Sequence, residues 1–157
     1  MATPAFPASS RPQTPSIARI LIVDDDAAVR RLARRILEGG GYAVVTATDG
    51  VAALCAARAA LVRPGGTIHL VLTDIDMPGG DGYGLGRQLA ITWPELPVIY
   101  MSGTTHGLAR RAQLASSEHF IEKPFSANHL RHTIGLVLRD TRFRPPAATE
   151  SQREGAT

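Results

Sequence analysis

Five short apolar runs alternate with five helix-like stretches, and this alternation limits the possible folds more than any other feature of the chain. The runs cover 19–23, 43–47, 68–73, 98–101 and 119–122, and the helical patterns cover 26–38, 51–62, 83–92, 107–116 and 127–139. In the first helical stretch Val29, Leu32, Ala33, Ile36 and Leu37 share one face with arginines opposite, and Gly39-Gly40-Gly41 ends it. Strands joined through helices return to the same edge by right-handed crossovers, so they run parallel and are covered on both faces. The expected fold is α/β: a three-layer, doubly wound (βα)5 unit around a five-stranded parallel sheet.

The ends of the chain differ from its middle. Residues 1–16 are rich in Pro, Ser and Ala, and 141–157 are similar, so both are expected to be disordered tails around one domain at 17–140. A hydrophobic content of 44% with 20% charge suits a soluble globular protein. No apolar run approaches the roughly 20 residues of a membrane span, which points to the cytoplasm. The single cysteine, Cys55, excludes a disulfide framework and is read as small core filler in its Ala-rich helix. The net charge of +3 raises the question of nucleic acid. Its arginines are dispersed as Arg30-Arg31, Arg34-Arg35 and Arg110-Arg111, with no aromatic interleaving, so they read as a solvated helix face and no direct DNA binding is expected.

Polar signals collect at the carboxyl ends of the predicted strands, the edge where open α/β sheets hold their ligands. Asp24-Asp25 follow the first strand, Asp74-Ile75-Asp76 the third, Ser102 the fourth and Lys123 the fifth. Lys123 is the one lysine, against sixteen arginines. An ammonium is a compact point charge, whereas guanidinium is a broad planar fork, so a lone lysine suits a crowded anionic pocket. Carboxylates gathered within a few ångströms repel one another unless a cation neutralises them, and a hard oxygen-seeking Mg²⁺ fits that need. With metal and Lys123 present, one carboxylate can attack phosphorus. Ser102 would donate to the new phosphoryl group, and Gly103 beside it leaves room for close backbone approach. Asp26 is read as the opener of the first helix, at the positive end of its dipole, rather than a metal ligand.

The segments ILIVDDD, LVLTDIDMPGGDG, VIYMSG and FIEKPF, in that order and spacing, resemble the receiver domain of two-component response regulators over residues 17–139. The likeness implies a flavodoxin-like strand order of 2-1-3-4-5, as in chemotaxis-type receivers. It implies Asp74 as phosphoacceptor, charged by a histidine kinase or a histidine phosphotransfer protein. Asp24 and Asp25 would form the Mg²⁺ pocket with Asp74 and the Asp76 backbone carbonyl, Asp25 being a direct ligand. Ser102 and Phe120 would be the switch pair, Lys123 the phosphoryl-contacting lysine, and Ile75 and Gly103 the backbone contacts to the phosphoryl group. The bond before Pro124 is often cis in such proteins. The implied protein is a phosphoacceptor rather than an enzyme, assisting its own Mg²⁺-dependent phosphorylation and dephosphorylation.

Some positions depart from the pattern. Phe120 has no phenol hydroxyl, so its coupling to Ser102 would be steric. Gly84 and Gly86 fall where the third helix begins and weaken it by about 1 kcal/mol each relative to Ala. The short segment after 139 implies a stand-alone receiver whose output is binding to a downstream protein that the sequence does not name. Two other readings stay open: a degenerate receiver that binds partners without phosphorylation, and a haloacid-dehalogenase-type aspartyl phosphatase built on Asp74-Ile75-Asp76. In the latter family, however, the paired aspartates follow the lysine.

Overall fold

A computed structural model describes residues 17–63, 66–78, 82–103 and 119–141. Among them the elements are β1 (Arg19–Val23), α1 (Ala27–Glu38), β2 (Ala43–Ala47), α2 (Gly50–Leu61), β3 (Leu70–Asp74), α3 (Gly82–Thr92), β4 (Val98–Gly103), β5 (His119–Lys123) and α4 (Ala127–Asp140). The helix predicted over 107–116 and the two tails fall on residues outside this set. All strand pairs are parallel, and the order is β2-β1-β3-β4-β5. This is the doubly wound, flavodoxin-like arrangement expected above.

Alternation along the strands feeds two cores. Ile20, Ile22, Leu70, Leu72, Ile99, Met101 and Ile121 pack with Ala33, Ile36 and Leu37 of α1 and Leu130, Ile134, Val137 and Leu138 of α4. Leu21, Val23 and Val71 point the other way, onto Ala53 and Ala60 of α2 and Leu85 and Leu89 of α3. Because both faces are buried, the central strands read as unbroken apolar runs rather than alternating ones. No described helix is long and apolar enough to cross a membrane.

Side-chain caps start three helices. Asp26 caps α1 by accepting from the Ala28 amide at 2.7 Å, Asp49 caps α2 through the Ala52 amide at 2.8 Å, and Ser126 caps α4 through the His129 amide at 3.1 Å. The role assigned to Asp26 therefore holds. Two core assignments do not. Cys55 is exposed, because α2 turns Ala53, Ala57 and Ala60 toward the sheet and residue 55 falls on the opposite side. Leu32 is 50% exposed: it lies at the margin of the stripe that Ala33, Ile36 and Leu37 bury.

Three strands run further toward the carboxyl edge than their apolar runs suggest. Asp74 pairs with Met101, Ser102 with Glu122, and Gly103 with Lys123. Asp74, Ser102 and Lys123 thus belong to the last rungs of the ladder, and the sheet itself fixes their spacing.

The glycine at 86 has a packing reason that outweighs its helix propensity. A Cβ there would lie 1.9 Å from the Tyr100 hydroxyl, and Tyr100 is buried with its ring centroid 5.2 Å from that of Tyr83. Ala is favoured over Gly in a helix by about 1 kcal/mol. Gly86→Ala should nonetheless lose about 1–3 kcal/mol by overpacking, measured by urea unfolding. A gain in stability would show that Tyr100 yields freely.

Candidate functional site

Four strands and the turns that follow them bring the predicted polar residues together. One carboxylate oxygen from each of Asp24, Asp25 and Asp74 lies within 4.8 Å of the others. Lys123 reaches across from the end of β5, with Nζ 2.6 Å from Asp24 Oδ2 and 3.3 Å from Asp74 Oδ1. The peptide bond that follows it, Lys123–Pro124, is cis.

Each acid is held differently. Asp24 is fully buried; its amide donates to the Ala47 carbonyl at 3.2 Å, its Oδ1 accepts from the Asp26 amide at 2.9 Å, and its Oδ2 accepts from Lys123. Asp74 is 5% exposed, and its Oδ1 accepts from the Asp76 amide at 3.3 Å. Asp25 is exposed at the rim. The helix α3 begins directly against the phosphoacceptor candidate: the Gly82 amide donates to the Ile75 carbonyl at 3.1 Å, and a Cβ on Gly82 would lie 2.0 Å from the Asp74 carbonyl oxygen. Only glycine permits that approach.

Electrostatics follow from one ammonium among three carboxylates. Burial pushes the Asp74 carboxyl above the usual aspartate range and the charge of Asp24 adds to this, while Lys123 and the Asp76 amide oppose it. Burial also works against the Lys123 ammonium, but its hydrogen bond to Asp24 and the charges of Asp24 and Asp74 outweigh that and hold its pKa above the ordinary value. The residual negative charge and the all-oxygen donor set suit a hard divalent cation such as Mg²⁺, with Asp25 and Asp74 open toward it and Asp24 largely committed.

The remaining predicted residues surround this group. Ser102 is fully buried, and the single proton of its hydroxyl is shared between two acceptors, Asp76 Oδ2 at 3.2 Å and the Gly103 carbonyl at 3.3 Å. The carboxylate of Asp76 is therefore a partner of the Ser102 hydroxyl, a contact that reading Asp76 only for its carbonyl does not anticipate. The Ile75 amide donates to the Met101 carbonyl at 2.9 Å, so it is engaged in the sheet in this state. At Gly103 an added Cβ would meet nothing within 4 Å, so the space beside Ser102 is open. Phe120 is half-buried and in register with Tyr100, two rungs from Ser102 and on the same sheet face.

Sequence reasoning missed Arg30. In sequence it reads as part of a solvated face, yet its Nη1 donates to the Asp24 carbonyl at 2.7 Å and the Asp25 carbonyl at 3.0 Å. The available signal was its position: it lies four residues after the α1 cap, and helical side chains lean toward the N-terminus.

Comparison with known proteins bears on the family and the fold. The family model described as response regulator receiver domain matches residues 20–135. Response regulator MprA of Mycobacterium leprae (strain TN) is 41% identical over 134 residues, covering 85% of this chain and 55% of that protein. MprA of Mycobacterium tuberculosis (strain ATCC 25618 / H37Rv) is 40% identical over the same shares. The chain thus spans about half the length of the curated relatives it matches. Among solved structures, the receiver domain of NtrX from Brucella abortus superposes with a TM-score of 0.64 at 34% identity, covering 76% of this chain and 98% of that one. The response regulator protein TrrA from Thermotoga maritima, solved in complex with Mg²⁺-BeF, gives a TM-score of 0.67 at 27% identity, covering 78% of this chain and 100% of that one.

Proposed function

The chain belongs to the response regulator receiver domain family, and on that footing we propose that it accepts a phosphoryl group onto Asp74 from a phosphohistidine of a histidine kinase or phosphotransfer protein. The observation that carries this reading is the convergence of Asp24, Asp25 and Asp74 oxygens within 4.8 Å, with Lys123 3.3 Å from Asp74. An Asp74 oxygen attacks phosphorus, the P–N bond to the donor imidazole breaks, and the imidazole keeps the electron pair. The product is an acyl phosphate. Lys123 supplies positive charge to the transferring oxygens from a position already set between two carboxylates. Asp25 and Asp74, with Asp24 and the Asp76 carbonyl, would hold Mg²⁺, which when bound neutralises charge on those oxygens.

The switch follows from the hydrogen bonds. A phosphoryl group on Asp74 adds about −1.5 to −2 charges and strong acceptors beside Ser102. Its hydroxyl then exchanges Asp76 for the phosphoryl oxygens, and Phe120, on the same sheet face, repacks into the space vacated. We assign the output to the receiver surface around β4 and β5, read by a partner protein in the cytoplasm without direct contact to DNA by the described residues. The receiver in this reading is residues 17–140.

Incubation with Mg²⁺ and acetyl phosphate tests the proposal: intact mass should rise by one phosphoryl group, and chelation of the metal should prevent it. The metal site has its own test. Removing Asp25 takes away a hard oxygen ligand, so Asp25→Ala should weaken Mg²⁺ binding at least about tenfold, equivalent to ~1.4 kcal/mol. Amide NMR titration is the suitable readout, because Trp93 lies with Ile68, His69 and Leu96 around a cavity near the start of β3, at the amino edge of the sheet. Unchanged affinity would remove Asp25 from the ligand set.

A further inference from the structure

The arginines of α1 are not equivalent. Arg31, Arg34 and Arg35 are exposed, whereas Arg30 is half-buried and its Nη1 bonds two main-chain carbonyls, those of Asp24 at 2.7 Å and Asp25 at 3.0 Å. A terminal guanidinium nitrogen carries two protons, so each carbonyl receives its own bond. The Arg30 amide closes the first helical turn on the Asp26 carbonyl at 3.0 Å, and this anchors the base of the side chain.

The two carbonyls flank a single residue. That of Asp24 belongs to the peptide entering Asp25, and that of Asp25 to the peptide leaving it. Peptide units are planar, so fixing both planes fixes the φ and ψ of Asp25 and with them the direction of its Cα–Cβ bond. Asp24 does not depend on this clamp: it is buried, and its amide and both carboxylate oxygens have other partners. Asp25 stands exposed at the rim; the Asp26 amide's bond to Asp24 Oδ1 helps hold the peptide leaving it, and Arg30 is the side chain that ties the carbonyls on both sides of it.

We propose that Arg30 is a positioning residue, which aims the Asp25 carboxylate at the oxygens of Asp24 and Asp74 and so sets the affinity of the site for a divalent cation. The inference rests on the receiver reading given above. Its sign separates it from a simple charge effect. A guanidinium beside a cation site repels the cation, so removing the charge alone would tighten metal binding. Loss of an aiming contact weakens it.

The test uses Arg30→Met, which keeps an apolar stem and good helix propensity while removing every donor. Mg²⁺ affinity from amide NMR titration should fall about tenfold, the lower end of what partners that orient metal ligands contribute. In the metal-free protein the HN–Hα coupling and amide shift of Asp25 should change while those of Asp24 stay near wild type. In an Asp25→Asn background, Arg30→Met should cause no further loss. Arg30→Gln, with a shorter reach, should give the same sign and serves if the Met variant folds poorly. Equal or tighter Mg²⁺ binding by the Met variant, or an undiminished effect in the Asp25→Asn background, would overturn the inference while leaving the receiver reading intact. A wild-type chain that binds no Mg²⁺ takes both down.

Discussion

Asp74→Asn should take up no phosphoryl group under conditions in which the wild type gains one. The amide cannot form an acyl phosphate, and no other carboxylate in the pocket can substitute. Asp24 has both oxygens committed, to Lys123 and to the Asp26 amide, and Asp25 lies at the exposed rim, where it is open to a metal ion. The same variant should be more stable than the wild type in metal-free buffer at neutral pH. Burial raises the Asp74 pKa, so the folded state holds that proton to higher pH than the unfolded chain does. Stability contributed by the protonated carboxyl is therefore lost as pH rises from the ordinary aspartate value through the raised one, and the deficit is fully present above it. Urea midpoints for the two proteins should converge in acid and separate toward neutrality. Parallel midpoints at every pH would mean that Asp74 ionises without penalty.

Lys123→Arg should accept phosphate yet lose the switch. The ammonium sits between Asp24 and Asp74 at 2.6 and 3.3 Å, half-buried, on the last rung of β5. A guanidinium is longer and planar; it keeps the charge but cannot occupy the same point between two carboxylates without moving one of them. Phosphoryl uptake should slow but persist, since the metal carries much of the electrostatic load. The movement of the β5 end toward Asp74 should be lost, because the cation no longer contracts onto the phosphoryl oxygens from that strand. Amide shifts of β4 and β5 with and without beryllofluoride read this out. A full wild-type shift pattern in the Arg variant would show that any cation at 123 suffices, and that the scarcity of lysine in this chain carries no functional information.

Much of this site was legible because its residues occupy places that local pattern can locate. Asp24, Asp74, Ser102 and Lys123 each follow an apolar run of strand length, and parallel topology brings the ends of such runs to one edge. The cap role of Asp26 needed only its position before an amphipathic stretch. What escaped depends on which distant residue faces which. Cys55 lies in a helix so rich in alanine that no stripe marks its buried side, and the sheet alone decides that Ala53, Ala57 and Ala60 turn inward. The fit of Gly86 under the Tyr100 hydroxyl joins α3 to β4, and no period in either segment encodes it. The Ser102–Asp76 bond spans 26 residues and depends on how the turn after β3 folds back. Arg30 was the nearest miss, since its neighbours along the helix are solvated and only its offset from the cap sets it apart.

The identity of the phosphorylated side chain is the point on which the rest depends. Borohydride reduction of the chain after reaction with acetyl phosphate and Mg²⁺ converts an aspartyl phosphate to homoserine, which peptide mass spectrometry locates. Homoserine at position 74, absent without Mg²⁺ and absent in Asp74→Asn, is the predicted result. Homoserine at another aspartate, or a phosphoryl group that resists reduction and is located on a serine or histidine, would contradict it.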